Sequence, residues 1–468
     1  WFLRMDETIL DPSQQVYFSR FEEPVAESMY ILSVVTKEPN WRNFDIFAYQ
    51  NSILPAYYVD QVDGSEFIEE YQFKLMPGSG PYTIKDENIV NQESYKLTRR
   101  EDFWGKDLPQ NRNRYNFDSI NFFVIKGNDA LTFEKFKKSE FDYYEVSRSR
   151  VWVEECVADK MKAIDKGWMK KHRIFSDRPA GTSGYGFNMR KFPFNDINIR
   201  YAFGYLYDRE KMNREMYYNE YEMMHSWFSG TMYENEENIK FLYNPEKAIE
   251  HLKLAGFEKK NDEGILINSE GKPLSFEIFT QNYLTYMITP VQNMLKQYGI
   301  DMQIVNMDAN TEYKNQNERN FTINLHTYTG SVHPSIELWF RSDLADLNDN
   351  NNYFGFKNER VDQLIIDYKT EFDLKKRIQI GKEIDKIVAE IHPVSYGIKR
   401  LYRRFLYWDK FGYPEYMVDR FVGNYESIYE LWWFDPEKID NLTNAMENDE
   451  QLPINEVDII YWPNWNKK

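Results

Sequence analysis

The chain has 468 residues, 42% of them hydrophobic and 28% charged, so it is too long for a single hydrophobic core and has the composition of an ordinary globular protein. Its formal net charge of −17 argues against nucleic acid as a partner, because phosphate binding needs a basic surface. Cys156 is the single cysteine, which excludes an intramolecular disulfide and a cysteine-ligated metal site.

The first part of the chain is predicted to be mainly β. Residues 29–35 have the length and composition of one strand. The turn Gly78-Ser79-Gly80-Pro81-Tyr82 starts a block of strands that ends in a helix near residues 131–139. Residues 175–189 place glycines and a proline around an aromatic strand, which indicates a crossing between lobes.

The following part alternates between helices and strands. Asn244 is a predicted N-cap, with Pro245 at the first helical position and Gly256 just beyond the end of the helix. Asp373 is predicted to cap a long helix that Pro393 ends. Further predicted elements are strands at 276–279, 302–305, 401–408 and 457–461 and helices at 290–298 and around 361–368.

Several short motifs resemble known functional signatures, but each lacks a residue or a structural context that the signature requires. The turn at residues 78–82 lacks the third glycine and the βαβ context of a dinucleotide fingerprint. Gly181-Thr182-Ser183-Gly184 is not the G-x-S-x-G of a nucleophile elbow. The six histidines show no metal-ligand spacing, and the acidic stretch at 343–350 lacks the order and central glycine of an EF-hand, so no metal or other cofactor is predicted.

The ordered series of motifs along the chain is more informative than any one of them. Its members are Gly78-Ser79-Gly80-Pro81-Tyr82, Phe103-Trp104-Gly105, Phe187-Asn188-Met189-Arg190, Pro193-Phe194-Asn195-Asp196, Ile199-Arg200-Tyr201-Ala202-Phe203, Asp208-Arg209-Glu210, Asn244-Pro245-Glu246-Lys247-Ala248 and Gly271-Lys272-Pro273-Leu274. In this order they resemble the family 5 extracellular solute-binding proteins, which deliver peptides to ABC importers. The branch that imports oligopeptides and microcin C is the most similar, through Trp104-Gly105-Lys106-Asp107-Leu108-Pro109, Gly330-Ser331-Val332-His333-Pro334 and Trp432-Trp433-Phe434-Asp435-Pro436.

The resemblance implies a two-lobed α/β periplasmic binding protein of type II, in the large peptide-binding class. Hinge strands join its lobes and the ligand is enclosed between them. The implied division is a remnant of a truncated N-terminal subdomain at 1–72, a first lobe at 73–178, a second lobe at 179–405, a return to the first lobe at 406–440 and a C-terminal tail at 441–468.

The resemblance also implies a set of ligand-binding residues. The strand that carries Ser183 and Tyr185 is expected to line the cleft, and Gln281 and Asn282 follow a strand whose loop reaches the ligand. The opposite wall is expected to be the segment from Tyr328 to Pro334. The implied ligand residues in and after that segment are Tyr328, Gly330, Ser331, His333 and Glu337. Better-known oligopeptide receptors hold the peptide ammonium group with an aspartate where this chain has Gly330.

The expected function is therefore that of a receptor and not of an enzyme. Its expected partners are an oligopeptide or peptide-like ligand and the ABC permease subunits of the inner membrane, and the receptor is expected to be monomeric and periplasmic. The first residue is Trp1, and a signal peptide is expected in an N-terminal part that the sequence lacks. Two alternatives stay open: a secreted enzyme such as a glycoside hydrolase, built on the many carboxylates and aromatics, and a binding protein for a non-peptide solute.

Overall fold

A computed structural model describes residues 19–49, 53–62, 70–71, 74–127, 129–421 and 423–462. Within these ranges, none of the helices combines the length and the apolar character that a membrane crossing requires. The backbone contacts divide the chain into two compact units. Unit 1 comprises the described residues up to 72 with Pro179–Met212 and Met223–Lys399, and unit 2 comprises the described residues of 73–178 with Asn213–Glu222 and those from Arg400 onwards.

The described residues form 21 strands and 14 α-helices. The strands are β1 (Val25–Ser28), β2 (Ile31–Ser33), β3 (Tyr82–Thr83), β4 (Ile89–Val90), β5 (Ser94–Arg99), β6 (Ser119–Phe123), β7 (Tyr143–Glu145), β8 (Met169–Phe175), β9 (Thr182–Phe187), β10 (Glu222–Met223), β11 (Lys259–Lys260), β12 (Leu266–Ile267), β13 (Ser275–Thr280), β14 (Asp301–Asn306), β15 (Ile323–Tyr328), β16 (Val394–Tyr396), β17 (Ile398–Lys399), β18 (Tyr402–Trp408), β19 (Phe411–Gly412), β20 (Trp433–Phe434) and β21 (Asp458–Ile460). The helices are Asn43–Tyr49, Ala56–Val59, Asp129–Lys137, Lys162–Asp165, Ile197–Leu206, Arg209–Glu215, Pro245–Leu254, Thr285–Gln297, Ala309–Asn317, Glu337–Phe340, Glu359–Thr370, Leu374–Ile391, Glu426–Leu431 and Pro436–Asn448.

Unit 1 is built around a five-stranded sheet in the order β14-β13-β15-β9-β16. β13 runs parallel to β14 and β15, and β9 runs antiparallel to both of its neighbours. The helices Thr285–Gln297 and Ala309–Asn317 connect β13 to β14 and β14 to β15, as parallel strands require. This is the α/β architecture that the sequence predicts.

The predicted helix starts of unit 1 are confirmed by their caps. The Asn244 side chain accepts a hydrogen bond from the backbone of Lys247, and Asp373 accepts one from the backbone of Lys376. Gly256 lies just past the first of these helices with φ of 83°, in the left-handed region that favours glycine. These caps could be predicted because the bonds that they make span only three residues.

Two predicted boundaries are wrong. Residues 29–35 do not form one strand, because residues 29 and 30 are the turn between β1 and β2, and β2 covers only Ile31–Ser33. The helix predicted at 290–298 begins at Thr285 and contains Pro290. Ile288, Val291 and Leu295 are buried on one face of that helix, so the burial of apolar surface extends it across a proline that local rules place at its start.

Unit 2 contains two four-stranded sheets. One has the order β21-β8-β18-β7, and in the other β5 pairs with β3, β4 and β6. The helix Asp129–Lys137 follows β6 close to its predicted position and buries Phe133 and Phe136. The described residues up to 71 cluster with unit 1, whereas the sequence assigns 1–72 to a separate subdomain, and that division into lobes stays a prediction.

Candidate ligand-binding site

The carboxyl edge of the unit 1 sheet brings together most of the predicted ligand-binding residues. Gln281 and Asn282 directly follow β13, and Gly330 follows the parallel strand β15, which Tyr328 ends. β9 is antiparallel to β15 in a register that pairs Ser183 with Thr327, so Ser183 lies at the same edge. Sheet topology thus collects residues that are far apart in the sequence.

This edge is also a topological switch point. From β13 the chain goes to β14 on one side, whereas from β15 it eventually reaches β16, on the other side. Ligands of open α/β sheets bind at such points, because the diverging connections leave a crevice outside the carboxyl ends of the strands. The loops after β13 and β15 lie at the edge where this rule places a ligand.

The loop after β13 offers amide groups. The Gln281 amide donates a 3.0 Å hydrogen bond from Nε2 to Glu312 Oε2, which orients its carbonyl oxygen. Asn282 begins a short 3-10 turn and its side chain is exposed. One amide is therefore held in place and the other is accessible.

Ser183 is half-buried and hydrogen-bonded within unit 1. Its Oγ donates to the Ile398 carbonyl at 3.0 Å, and its own carbonyl accepts from the Gly397 amide at 2.7 Å. The hydroxyl thus helps to hold the start of β9 against the segment after β16.

Arg209 is a scaffold residue of this edge that the sequence shows as a motif without a role. Its guanidinium is buried and donates to the carbonyls of Met224, Tyr396 and Phe241, at 2.6, 3.0 and 2.6 Å. Burial lowers its pKa to about 10, which still leaves it charged at neutral pH. The Asp208-Arg209-Glu210 motif therefore ties three chain segments together.

Tyr185 lies in the core of unit 1. The side chain is 2% exposed, and its ring packs on Phe203 and Tyr207 with centroid distances of 5.3 and 5.2 Å. A Tyr185→Ala substitution would therefore lower stability through lost core packing, and this effect would mask any loss of a ligand contact. The ligand-binding role of Tyr185 stays a prediction.

Tyr328 is positioned by an aromatic cluster, which we define as Trp227, His326, Tyr328 and Trp339. Its ring contacts Trp339 at 4.6 Å and Trp227 at 6.3 Å, and Trp227 stacks on His326 at 5.2 Å. Tyr328 itself is half-buried.

Gly330 is required by a close approach of two backbones. A Cβ at this position would lie 2.7 Å from the Gly181 nitrogen and 2.9 Å from its Cα. No side chain fits there unless the backbone moves. The aspartate that the resemblance to better-known oligopeptide receptors leads us to expect here is thus sterically incompatible with this arrangement.

Ser331 and His333 form a self-bonded turn. Ser331 Oγ donates to the His333 carbonyl at 2.8 Å, and that carbonyl also accepts from Arg42 Nη1 at 3.0 Å. His333 Nδ1 shares a 3.0 Å hydrogen bond with the Tyr233 hydroxyl. Burial, with Arg377 and Arg42 nearby, lowers the pKa of His333, so its ring is neutral at neutral pH.

Glu337 is buried and paired with cations. Its carboxylate forms ion pairs with Arg20 and, at 3.5 Å, with Lys369, and its side chain is only 7% exposed. A carboxylate that already faces two cations is poorly placed to receive a peptide ammonium group. Its role in ligand binding stays a prediction, and the structure gives it a task in the fold.

Asp385 anchors the loop that carries Trp227. Its carboxylate is fully buried and accepts hydrogen bonds from Ser226 Oγ, the Trp227 and Asn235 amides and Asn238 Nδ2, at 2.8, 3.0, 2.9 and 2.7 Å. The nearest sequence neighbour among these donors is 147 residues away. The sequence carries no local signal that could reveal such a hub.

The burial of His326 predicts a loss of stability in acid. Burial lowers its pKa to about 3, against 6.5 for the free side chain, so only the unfolded state binds the proton between these values. The contribution of this pKa difference to the free energy of unfolding is therefore complete above pH 6.5 and is lost as the pH falls towards 3. At pH 4.5 the loss is about 3 kcal/mol.

Urea unfolding at pH 7.5 and 4.5 measures this effect on the wild type and on His326→Phe, which keeps the ring against Trp227. The drop in unfolding free energy on acidification is expected to be smaller in the variant. An equal drop in both proteins would contradict a neutral, buried His326.

The described residues contain no group of three or more His, Cys, Asp or Glu side chains that could hold a metal ion.

The model for the bacterial extracellular solute-binding proteins, family 5 Middle, matches residues 7–346. The chain belongs to family 5 of the bacterial extracellular solute-binding proteins.

Relatives of this family 5 chain have similar sequences over most of its length. It is 26% identical over 395 residues to an uncharacterized protein, y4wM, of Sinorhizobium fredii, covering 76% of this chain and 58% of that protein. It is 24% identical to the uncharacterized protein YejA of Escherichia coli, covering 80% and 65%. It is also 24% identical to the probable peptide-binding protein YejA of Agrobacterium fabrum, covering 91% and 74%. The chain thus spans about three fifths of the first two relatives.

Solved structures confirm the fold class. The oligopeptide-binding protein AppA from Bacillus subtilis, solved with a nonapeptide, is similar with a TM-score of 0.76 at 19% identity, covering 91% of this chain and 80% of AppA. NikZ from Campylobacter jejuni, with Ni(L-His), gives a TM-score of 0.70 at 17% identity, covering 90% and 80%. A mannohexaose-bound binding protein from Thermotoga maritima gives 0.68 at 16%, covering 88% and 76%. The fold is the two-lobed type II fold of family 5, and by itself it does not select a ligand.

Proposed function

We propose that this protein is the solute-binding component of an ABC importer and that it binds oligopeptides or peptide-like compounds. The observation that carries the proposal is the family 5 match over residues 7–346. The name of the Agrobacterium relative and the nonapeptide bound to AppA support peptides as the ligand class. In this proposal the protein is a monomeric periplasmic receptor that hands its ligand to permease subunits in the inner membrane.

The proposed activity needs binding and no catalysis. A receptor works through a difference in affinity between its conformational states, and a nucleophile has no part in that. The groups at the sheet edge suit this task, because they are amides, hydroxyls, an aromatic ring and accessible backbone. Hydrated contacts of this kind tolerate varied side chains without making binding weak.

We infer that the edge residues Ser183, Gln281, Asn282, Tyr328 and Gly330 contact the ligand. Ser331 and His333 shape the loop beside them through their internal hydrogen bonds. Because position 330 has no acid and Glu337 is paired, the peptide ammonium group is expected to be held by other groups than in the better-known oligopeptide receptors.

A non-peptide solute is the second candidate. Structures of this fold hold mannohexaose and Ni(L-His), and the site lacks an acid at position 330. A sugar or another polyol would use the same amides and hydroxyls together with the Tyr328 ring.

A thermal-shift screen separates these functions. Peptides of two to nine residues and mannohexaose are added singly, and the mixtures are checked by mass spectrometry for products. A ligand present at 100 times its Kd stabilises the protein by about 2.7 kcal/mol. Stabilisation by peptides without turnover supports the proposal. Stabilisation by mannohexaose alone would show that the ligand is a sugar and not a peptide. Turnover of a ligand that a single carboxylate substitution abolishes would show that the protein is an enzyme and not a receptor.

Asn282→Ala is expected to weaken binding of the best peptide about fivefold, the effect of one lost hydrogen bond of about 1 kcal/mol, without changing Tm. Asn348→Ala is the matched control. Asn348 is also exposed, but its neighbour Asp349 bonds the end of the helix that precedes β15, at the opposite edge of the sheet. Isothermal titration of both variants measures the effect, and equal affinities would remove Asn282 from the site.

A further inference from the structure

The segment after β15 ends in a turn at residues 331–334, directly beyond the proposed ligand residue Gly330. The His333 carbonyl of this turn accepts hydrogen bonds from Ser331 Oγ at 2.8 Å and from Arg42 Nη1 at 3.0 Å. Arg42 lies 291 positions before His333 in the sequence. A distant segment of unit 1 therefore holds the turn in place.

The His333 side chain lies among aromatic rings. Its Nδ1 shares a 3.0 Å hydrogen bond with the hydroxyl of Tyr233, whose side chain is buried, and its ring meets Trp41 edge-on at 5.4 Å. The Tyr368 hydroxyl donates to the Pro334 carbonyl at 3.3 Å, and Tyr368 is uncharged because burial raises its pKa well above the usual range. These rings leave the imidazole half-buried, where a charge is solvated less well than in water.

The charged groups around His333 are mainly cations. Arg42 bonds the turn itself, and the Arg377 guanidinium lies 3.9 Å from the centroid of the Trp41 ring that His333 contacts. Arg377 is only 7% exposed, so water screens its charge weakly. Asp45 favours a charged imidazole, but it is exposed and its effect is screened. The surroundings of the ring therefore oppose a positive charge on it.

A proton on His333 changes the charge of the turn and leaves its hydrogen bonds intact. Nδ1 can then donate to the Tyr233 hydroxyl, which accepts as well as donates, and the bonds of Ser331 and Arg42 do not involve the ring. What changes is that a third cation joins Arg42 and Arg377. Burial and these two cations lower the pKa of His333, so the proton binds more readily when the ring has moved into water.

The direction of the pH effect follows from this difference. An imidazole in water has a pKa of about 6.5, and the ordered turn holds the pKa of His333 below that value. The ordered turn is therefore fully favoured above pH 6.5, and it loses this advantage as the pH falls through and below 6.5.

We propose that His333 is a pH-dependent switch of the candidate ligand-binding site. With a neutral ring the 331–334 turn is ordered and the ligand is bound. In mild acid the protonated ring leaves its place beside Trp41, the turn loosens and the ligand is released. The release of ligand rests on the proposed importer function, whereas the ordering of the turn is a property of unit 1 alone. His333 is thus a positioning residue that acts through the turn.

A histidine titration tests the charge environment without any ligand. The 468-residue protein, with its six histidines labelled with ¹³C at Cε1, is followed by NMR from pH 8 to pH 4.5. The signal that is missing in His333→Asn identifies His333. It is expected to titrate below pH 6.5, and to titrate at a higher pH in Arg377→Gln. That variant keeps a donor for the Glu371 carbonyl and removes the charge.

Methyl relaxation of Val332, the residue before His333, measures the order of the turn in the same samples. Its methyl order parameter is expected to fall by about a third between pH 7.5 and pH 5.0 in the wild type. It is expected to stay constant in His333→Asn, because Asn Oδ1 can replace Nδ1 as the partner of Tyr233 and takes up no proton.

Isothermal titration then connects the turn with binding. The probe is the best peptide of the thermal-shift screen that has no titratable side chain. The wild type is expected to lose about threefold or more in affinity between pH 7.5 and pH 5.0, and His333→Asn less than twofold. His251→Asn is the matched control and is expected to behave like the wild type. His251 packs on Tyr205 from the helix Pro245–Leu254, outside the segments that contact the turn.

Three results would overturn the proposal. One is a His333 ring that titrates at or above pH 6.5 or stays neutral down to pH 4.5. Another is a Val332 order parameter that stays constant in the wild type or falls equally in His333→Asn. The third is a peptide affinity with the same pH dependence in these two proteins. If no peptide binds at any pH, the importer function fails, and the two measurements without ligand still decide whether His333 switches the turn.

Discussion

Replacing Asp385 with alanine is expected to lower the free energy of unfolding by about 4 kcal/mol. The change leaves four buried donors without their acceptor: Ser226 Oγ, the amides of Trp227 and Asn235, and Asn238 Nδ2. Each buried donor without a partner costs about 1–3 kcal/mol, and partial entry of water limits the sum. Urea unfolding at pH 7.5 measures the difference.

Ser226→Ala is the control, because it leaves the carboxylate in place and removes one of its four bonds, together with the bond that Ser226 Oγ accepts from the Phe228 amide. Its expected loss is about 2 kcal/mol. The Asp385 variant is also expected to bind peptide more weakly at temperatures where it is folded, because Trp227 supports Tyr328. An Asp385→Ala protein within 1 kcal/mol of the wild type would show that the carboxylate does not organise this loop.

Introducing an aspartate at position 330, as Gly330→Asp, is expected to destabilise the protein by roughly 3 kcal/mol and to weaken the proposed peptide binding. The new Cβ would meet backbone atoms of Gly181 at 2.7 and 2.9 Å, and Pro179 Cβ at 2.9 Å. Backbone cannot rotate away as a flexible side chain can, so the segment after β15 must move. Thermal unfolding and titration with the best peptide measure both effects.

Gly78→Asp provides the matched control, because nothing lies within 4 Å of a Cβ at that position. It adds the same charge and is expected to change stability by less than 0.5 kcal/mol. A Gly330→Asp protein that is as stable as the wild type and binds peptides with free N-termini more tightly would contradict the steric reading. It would also show that the family's ammonium-binding mode can be restored.

Local signals in the sequence predicted several elements of the fold. The caps at Asn244 and Asp373, the strands β13 and β14 and the helix after β6 depend on side chains a few residues apart, and they lie where the sequence predicts them. The break between β1 and β2 and the start of the helix at Thr285 were not predicted. The second depends on burial of Ile288, which no local rule contains.

The candidate site was predictable in part for the same reason. The sequence places Gln281 and Asn282 at the end of a strand, and sheet topology then brings them to the edge that also carries Ser183, Tyr328 and Gly330. Which of the candidates are exposed was not predictable. Tyr185 packs against Phe203 and Tyr207. Glu337 pairs with Arg20, which is hundreds of positions away in the sequence, and with Lys369, which is tens of positions away.

The sequence by itself determined the family, because the order of its motifs survives in the linear chain, and it determined the caps, because their hydrogen bonds are local. The tertiary structure alone decided that Gly330 has no room for an acid and that Asp385 holds the Trp227 loop. Each of these depends on which distant segments come into contact. Such contacts follow from the burial of apolar surface across the whole unit and from strand pairing, and neither is written in any short stretch of residues.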